Sequence, residues 1–200
     1  MKSPYSKTDK VIAYLSKQYT KLFRRVAGFD ELNVIPVSHE IYDSIYELVK
    51  REASRLSDKV YRSHRRSGSG EEPTFFDPTA LSLLLALAYN PVTKYVFENE
   101  LDRKRARFAE SLIASETPSE DLALAMRLVA GMNAQFLDDV THETVIQAFK
   151  DNGTTMVRWV TSPDDRRCKH CASMHGNIYP IDDIPTKPHI HCRCWVEEVR

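Results

Sequence analysis

The sequence predicts a mainly α protein, with a helical N-terminal body over residues 1–153 and a small C-terminal α+β module over residues 154–200. Apolar residues recur three and four positions apart through most of the body, which is the spacing of a helix face. After Gly153 the pattern changes to a short β-branched and aromatic run, typical of a strand. The expected strands cover residues 154–161, 177–181 and 194–199. All four cysteines lie in the module, in two close pairs, so we expect it to be zinc-ribbon-like.

The 200-residue chain has the composition of a globular protein, with 42% hydrophobic residues and a formal net charge of +0. Because 28 basic residues balance 28 acidic residues, no overall field attracts the chain to nucleic acid or to a lipid surface. The N-terminus lacks the apolar segment of a signal peptide, and the most apolar run, residues 81–89, is too short to cross a membrane. We therefore expect no membrane association.

Two helices are expected at the start of the body. The first is predicted over residues 8–27, with Gly28 as its C-cap. Residues 29–37, which include Pro36, are predicted to be a connector, and Ser38 is predicted to cap a long second helix. Both helices carry an apolar stripe, so both are expected to pack into the core of the body.

A flexible loop or hinge is expected at about residues 67–73, where serine, glycine and glutamate precede a proline. Three arginines lie just before it: Arg62, Arg65 and Arg66. Their position beside a flexible segment makes them candidates for contact with DNA phosphates. The alternative is an ordinary solvated helix face.

Proline in the first helical position is expected to open three further helices, after Asp77, Asn90 and Thr117. Thr117 is followed three residues later by Glu120, the arrangement of a capping box. A shorter helix is expected to begin after Thr141. The four predicted helices cover residues 78–89, 92–114, 119–138 and 143–150.

The module offers more metal ligands than one zinc ion needs. Cys168 and Cys171 form a C-x-x-C, a spacing at which a tight turn brings two thiolates onto one tetrahedral ion. Two further ligands are expected from His189, Cys192 and Cys194, and the sequence does not rank these pairings. A structural zinc takes four ligands, so this set contains a surplus.

Other interpretations of the cysteines stay open. The thiols can be reduced and buried, since free cysteine packs as a small apolar residue. A disulfide is expected only if the mature protein leaves the cell. A Cys-His nucleophilic pair would need one activated cysteine, which no sequence feature marks. His191 is a weaker candidate metal ligand than the other five.

The module also carries a pattern that resembles a known family. In order, the pattern comprises Trp159, Thr161, Asp164, Arg166, Cys168, Cys171, Met174, Gly176, Pro188, His189, Cys192, Arg193 and Cys194. It resembles the C-terminal signature of the phage head-morphogenesis family typified by the F protein of phage Mu. This chain differs at Met174, where the family has an aliphatic residue, and at Ile190, where the family usually has proline. The resemblance covers residues 154–199.

The resemblance implies a non-enzymatic minor capsid protein of a tailed phage or prophage. Such a protein would associate with portal or capsid protein in head assembly and in DNA packaging or delivery, without a small-molecule substrate. It would be located in the phage head of the virion, and in the host cytoplasm during assembly. Membership of the family does not imply a metal, so the expectation of zinc depends on this sequence alone.

Two other functions are compatible with the residues. One is a zinc-knuckle nucleic-acid-binding protein, which salt-dependent binding of naked DNA would identify. The other is a hydrolase or toxin-like enzyme that uses the Cys/His cluster. A turnover abolished by a single Cys→Ala change would identify that enzyme.

Six residues of the pattern are expected to be structural: Trp159, Thr161, Asp164, Arg166, Gly176 and Arg193. Trp159 is assigned to the core of the module, because large aromatic residues dominate small cores. Asp164 is expected to stabilise the turn before the cysteines and to pair with Arg166 or Arg193. Gly176 is expected to adopt a backbone conformation that other residues avoid.

Overall fold

The computed structural model describes residues 3–26, 28–29, 31–66, 110–162, 168–189 and 192–199. The predicted hinge at residues 67–73, the predicted helix at residues 78–89 and most of the one at residues 92–114 lie outside these ranges. Asp164, Arg166 and His191 lie outside them as well.

The described part of the body consists of helices, as expected. The long helices are α1 (Tyr5–Phe23), α2 (Glu31–His64) and α3 (Pro118–Asp151), and residues 110–114 are also helical. Each long helix packs against the other two. Among the described helices, none combines the length and the apolar character that a membrane span requires. The mainly helical fold is confirmed.

The last turn of α1 closes without glycine. Arg24 is the C-cap, and its amide donates to the carbonyl of Thr20 at 3.2 Å. The amide of Val26 then donates to the carbonyl of Phe23 at 3.2 Å. The predicted cap at Gly28 was therefore wrong, because tightened turns after Phe23 already satisfy these carbonyls.

The start of α2 also departs from the prediction. The helix begins at Glu31 and contains Pro36, so residues 29–37 are not a connector and Ser38 is not the cap. Proline removes one amide donor from the helix, but this is tolerated where the unpaired carbonyl reaches solvent. Leu32, whose carbonyl would have accepted that donor, is 89% exposed. Solvent therefore compensates for the missing bond near the start of the helix.

α3 is one helix where the sequence predicted two. The expected interruption is absent, because the hydroxyl of Thr141 donates to the carbonyl of Leu137 at 2.9 Å instead of capping a new helix. Buried hydroxyl contacts hold this stretch against the other helices. Thr8 of α1 lies 2.8 Å from Thr141, and Ser57 of α2 lies 2.9 Å from Thr144. Packing against α1 and α2 thus overrides the local start signal.

The N-terminus of α3 agrees with the sequence in part. Pro118 occupies the first helical position, as predicted. The Thr117 side chain makes no capping bond, so the predicted capping box with Glu120 is absent. Instead the Thr117 carbonyl accepts the amides of Glu120 and Asp121, at 3.0 and 3.2 Å. Ordinary backbone bonds therefore open this helix.

The module is built on a three-stranded antiparallel sheet. Its elements are β1 (Met156–Val160), α4 (Lys169–Met174), β2 (Ile178–Pro180) and β3 (Trp195–Glu198). The strand order is β2-β1-β3, so β1 is central. On β1, Val157 pairs with Tyr179 of β2, and Trp159 pairs with Val196 of β3. All three strands lie within the predicted ranges, and a small α+β module is confirmed.

The module packs directly on the helical body. The main cluster of buried apolar side chains includes Tyr19 of α1, Leu56 of α2 and Val140 of α3. The same cluster includes Val157 and Trp159 of β1, both of which are fully buried. β3 also packs on α3. The sheet therefore shares its core with the helices, and a domain boundary at residue 153 stays a prediction.

Candidate metal centre

The start of α4 positions Cys168 and Cys171. Cys168 is the N-cap residue, and its sulfur accepts the amide hydrogen of Cys171 at 3.2 Å. This capping turn brings the two sulfurs close together. Cys171 is buried within the main core cluster, whereas Cys168 is half-buried.

Cys192 and Cys194 lie on the segment that enters β3, and both are buried. The sulfur of Cys192 is 3.7 Å from the sulfur of Cys171. His189 precedes this pair, and its Nε2 is 3.2 Å from the Cys171 sulfur. The amide of Cys192 donates to the His189 carbonyl at 3.2 Å. The pairing of β3 with β1 thus carries the second cysteine pair to the first.

The five predicted ligands come together in two groups that share Cys171. The groups are Cys168 with Cys171 and His189, and Cys171 with Cys192 and Cys194; within each, the ligand atoms lie within 4.8 Å of one another. Two sulfurs bonded to one tetrahedral zinc at about 2.3 Å are about 3.8 Å apart, whereas a disulfide joins them at about 2.05 Å. The separation of 3.7 Å between Cys171 and Cys192 agrees with the zinc geometry. This cluster can hold a metal ion.

Burial and mutual hydrogen bonds set the protonation of the four thiols. The amide of Cys171 lowers the pKa of Cys168, whereas burial raises the pKa of Cys171 to about 12. Hydrogen bonding with Cys192 lowers the pKa of Cys194 to about 5, and the same contact raises the pKa of Cys192. A metal binds the thiolate form. Cys194 therefore favours the ligand state already, and the buried Cys171 and Cys192 thiols release a proton when a metal binds.

Residues of the predicted structural set hold α4 against the end of β1. The Thr161 hydroxyl donates to the Cys171 carbonyl at 2.7 Å, and the Thr161 amide donates to Nδ1 of His175 at 3.1 Å. The amide of Gly176 donates to the Trp159 carbonyl at 2.8 Å. Gly176 has a φ of 84°, a conformation that favours glycine. These bonds fix the cysteine turn relative to the central strand.

Trp159 lies between the sheet and α3. Its side chain is fully buried, and its ring meets the imidazole of His142 edge-on, with centroids 6.2 Å apart. Burial lowers the pKa of His142 to about 3, so this imidazole is neutral. Among the described residues, the buried indole nitrogen has no hydrogen-bond partner. Sequence reasoning identified Trp159 but missed His142, whose position in a helix carries no distinguishing local signal.

Tyr5 and Arg193 join the cysteine segment to the helical body. The Tyr5 hydroxyl donates to the Cys194 carbonyl at 2.9 Å. Arg193 donates to Asp9 at 2.9 Å, and its guanidinium lies 4.9 Å from the centre of the Tyr5 ring. Asp138 of α3 is also close, 3.9 Å from Nε of Arg193. Sequence analysis missed Tyr5, Asp9 and Asp138, because these contacts join distant parts of the chain.

We expect Asp138 to lower the stability of the protein as the pH rises from about 4 to about 6. Burial raises the pKa of Asp138 to about 6; Arg193 and Lys187 oppose this rise, while Asp139 and Asp9 add to it. Its Oδ1 has no hydrogen-bond partner among the described residues. An acid whose pKa is raised by folding holds its proton more tightly in the folded state, so stability is lost as that proton leaves.

The substitution Asp138→Asn tests this expectation, because the amide removes the buried charge. Above pH 6 the variant should be more stable than the parent by up to about 3 kcal/mol, since each pKa unit corresponds to about 1.4 kcal/mol. Below about pH 4 the two proteins should differ little. Chemical unfolding of both proteins at a series of pH values gives the difference between their free energies of unfolding. The titratable groups that the two proteins share cancel in this difference. A difference in stability that stays constant as the pH changes would contradict the raised pKa of Asp138.

The three arginines considered for DNA contact lie at the end of α2 and have partners within the protein. Arg62 pairs with an aspartate one turn earlier at 2.8 Å. Arg65 donates to the carbonyl of Asp151 at the end of α3, and Arg66 pairs with Glu198 of β3. The Arg65 contact joins the ends of α2 and α3, and the Arg66 contact joins the end of α2 to the sheet. DNA contact by these residues stays a prediction.

Comparison with known proteins points to the C-terminal part of the chain. Neither the search of curated proteins nor the search of solved structures found a match. A family model described as Phage Mu protein F like protein matches residues 109–197. The match takes in α3, the sheet and all five predicted ligands, so it begins well before the signature that starts at Trp159. The resemblance predicted from the sequence is confirmed: residues 109–197 match the Phage Mu protein F like family.

Proposed function

We propose that this chain is a minor head protein of a tailed phage or prophage, associated with portal or capsid protein. The family match over residues 109–197 carries the proposal. The matched region extends from before α3 into β3, which gives the resemblance more weight than a cysteine motif alone would have. In this role the protein acts in head assembly and in DNA packaging or delivery, and it is located in the virion.

The same proposal includes a structural zinc in the cysteine cluster. Cysteine thiolates at C-x-x-C spacing, completed by further cysteine or histidine ligands, are typical of closed structural zinc sites. Here Cys171 lies in α4, whereas Cys192 and Cys194 lie on the segment before β3. An ion bound to both would crosslink two parts of a module whose strands are only three to five residues long. The zinc would therefore contribute to folding of the module.

A catalytic pair of Cys171 and His189 fits this geometry less well. The contact of 3.2 Å between Cys171 and His189 has the length of a nucleophile–base hydrogen bond. However, Cys171 is only 2% exposed, and burial raises its pKa. A catalytic cysteine needs an accessible thiolate with a lowered pKa. The burial of Cys171 and its contact with the Cys192 sulfur favour a structural role.

Mass spectrometry of purified phage particles tests the proposed function. Virions and procapsids should contain the full-length chain, and tails separated from the same lysate should not. The portal protein serves as the internal standard for copy number. Absence of the chain from both head forms would contradict the proposal.

A tagged full-length chain provides a second measurement. After nuclease treatment, portal or capsid protein should still co-purify with it, whereas a tail protein should not. If recovery of the partner is lost on nuclease treatment and the purified chain binds naked DNA in a salt-dependent way, the nucleic-acid-binding alternative is favoured instead.

A further inference from the structure

An open groove runs along the surface between α1 and α2, away from the cysteine cluster. Its volume is about 690 Å³. Four cationic side chains line it: Lys7 and Lys10 from α1, and Lys59 and Arg62 from α2. The formal net charge of the whole chain is +0, so this is a local concentration of positive charge.

Among the described residues, much of this positive charge has no acidic counterpart in the groove. Arg62 pairs with an aspartate of its own helix at 2.8 Å. The acid in the lining, Glu52, is bonded to two arginines of α2 at 2.8 and 3.3 Å. Lys7, Lys10 and Lys59 have no acidic partner among the described residues.

Two of these lysines also lie close to each other. The Nζ of Lys7 donates to the backbone carbonyl of Lys59 at 3.0 Å, which places two like charges at the same end of the groove. Burial, and then the nearby Lys59, lower the pKa of Lys7. A negative group bound in the groove would relieve this repulsion.

The floor of the groove is apolar. The floor is our name for the apolar side chains of the lining, which are Val11 and Tyr14 of α1 and Leu56 of α2. The Tyr14 side chain is 42% exposed, whereas Leu56 belongs to the buried core. The lining on α1 extends from Lys7 to Tyr14, which corresponds to about 10 Å of helix, or about two turns.

We propose that this groove binds an acidic amphipathic helix of a partner protein, with the apolar face of that helix on the floor and its carboxylates at the lysines. An apolar floor with a cationic rim is the arrangement by which a groove takes up an amphipathic helix of opposite charge. A DNA backbone would satisfy the lysines, but it would leave the apolar floor without a contact. The proposal goes beyond the role in the phage head and holds for any partner that presents such a segment.

A model peptide tests the proposal on the full chain with zinc present. The probe is a labelled helical peptide of about 14 residues, with leucines along one face and glutamates on both sides of them. Two matched peptides replace every glutamate with glutamine, or every leucine with serine. Fluorescence anisotropy at about 0.1 M salt should show binding of the first peptide and much weaker binding of the other two.

Charge variants then locate the binding. The double variant Lys10→Glu with Lys59→Glu should weaken binding by at least about tenfold, because it replaces rim attraction with repulsion. The control, Lys17→Glu with Arg127→Glu, makes the same change in net charge at exposed positions outside the lining, and it should change affinity by about twofold or less. Tyr14→Ala should weaken binding, whereas Leu124→Ala, at an exposed leucine of α3, should not.

Three results would overturn the proposal. The first is no binding of the acidic peptide at about 1 mM. The second is a loss of affinity in the control double variant as large as that in the groove variant, or binding of the glutamine peptide as tight as that of the glutamate peptide. Either result would mean that the charges of the groove are not the source of the attraction. The third is duplex DNA binding that depends on Lys10 and Lys59 but not on Tyr14, which would assign the groove to nucleic acid.

Discussion

Replacing Cys171 with serine should abolish zinc binding and unfold the module around α4. Cys171 is the sulfur that both groups of potential ligands share, so its loss disrupts either arrangement. The free energy of unfolding should fall by several kcal/mol, since structural zinc contributes about 10–16 kcal/mol of apparent binding free energy in zinc-finger peptides. The helical circular dichroism of α1 to α3 should be largely retained, because these helices also pack on one another.

Elemental analysis of protein purified under reducing conditions provides the first measurement. The parent chain should hold about one zinc ion, and the Cys171→Ser variant none. His170→Ala is the matched control, because His170 is exposed in the same helix and lies outside both ligand groups. It should keep the zinc and the thermal stability of the parent. Absence of metal from the parent chain would reject the zinc site, and complete loss of helix would show that module and body unfold together.

Replacing Trp159 with alanine should lower the free energy of unfolding by about 3–5 kcal/mol, the range for large buried aromatic residues. Trp159 is fully buried, and it connects the central strand to His142 of α3. The variant leaves a cavity in the cluster that the sheet and the helices share. Affinity for zinc should also fall by about tenfold, since Trp159 packs in the buried cluster that contains Cys171, Cys192 and Cys194.

Denaturant unfolding and competition with a chelator measure these two effects. Trp159→Phe is an intermediate variant for both effects, because it keeps most of the packing. This variant should lose less stability and less zinc affinity than Trp159→Ala. Ile178→Ala, at a side chain 47% exposed on β2, is the control and should change stability by about 0.5 kcal/mol or less. A similar small effect at Trp159 would contradict its place in the shared core.

Much of the fold could be predicted because helix and strand periodicities are local. Apolar spacing placed α1 close to its observed bounds, and the β-branched run placed β1. The prediction failed at Pro36, because proline is a local signal for the end of a helix. It also failed at Thr141, because threonine is a residue type that often caps the start of a helix. Solvent access compensates for the first, and buried contacts with α1 and α2 override the second.

By itself, the sequence determined the mainly helical composition, the three strands, the identity of five potential ligands and the resemblance now confirmed over residues 109–197. Each of these depends on residue types at short spacing. Only the tertiary structure decided that Cys171 joins the two ligand groups, that Tyr5 and Arg193 attach the cysteine segment to the helices, and that lysines of α1 and α2 share one groove. These contacts join residues far apart in the chain, and spacing along a sequence carries no record of which distant side chains folding brings together.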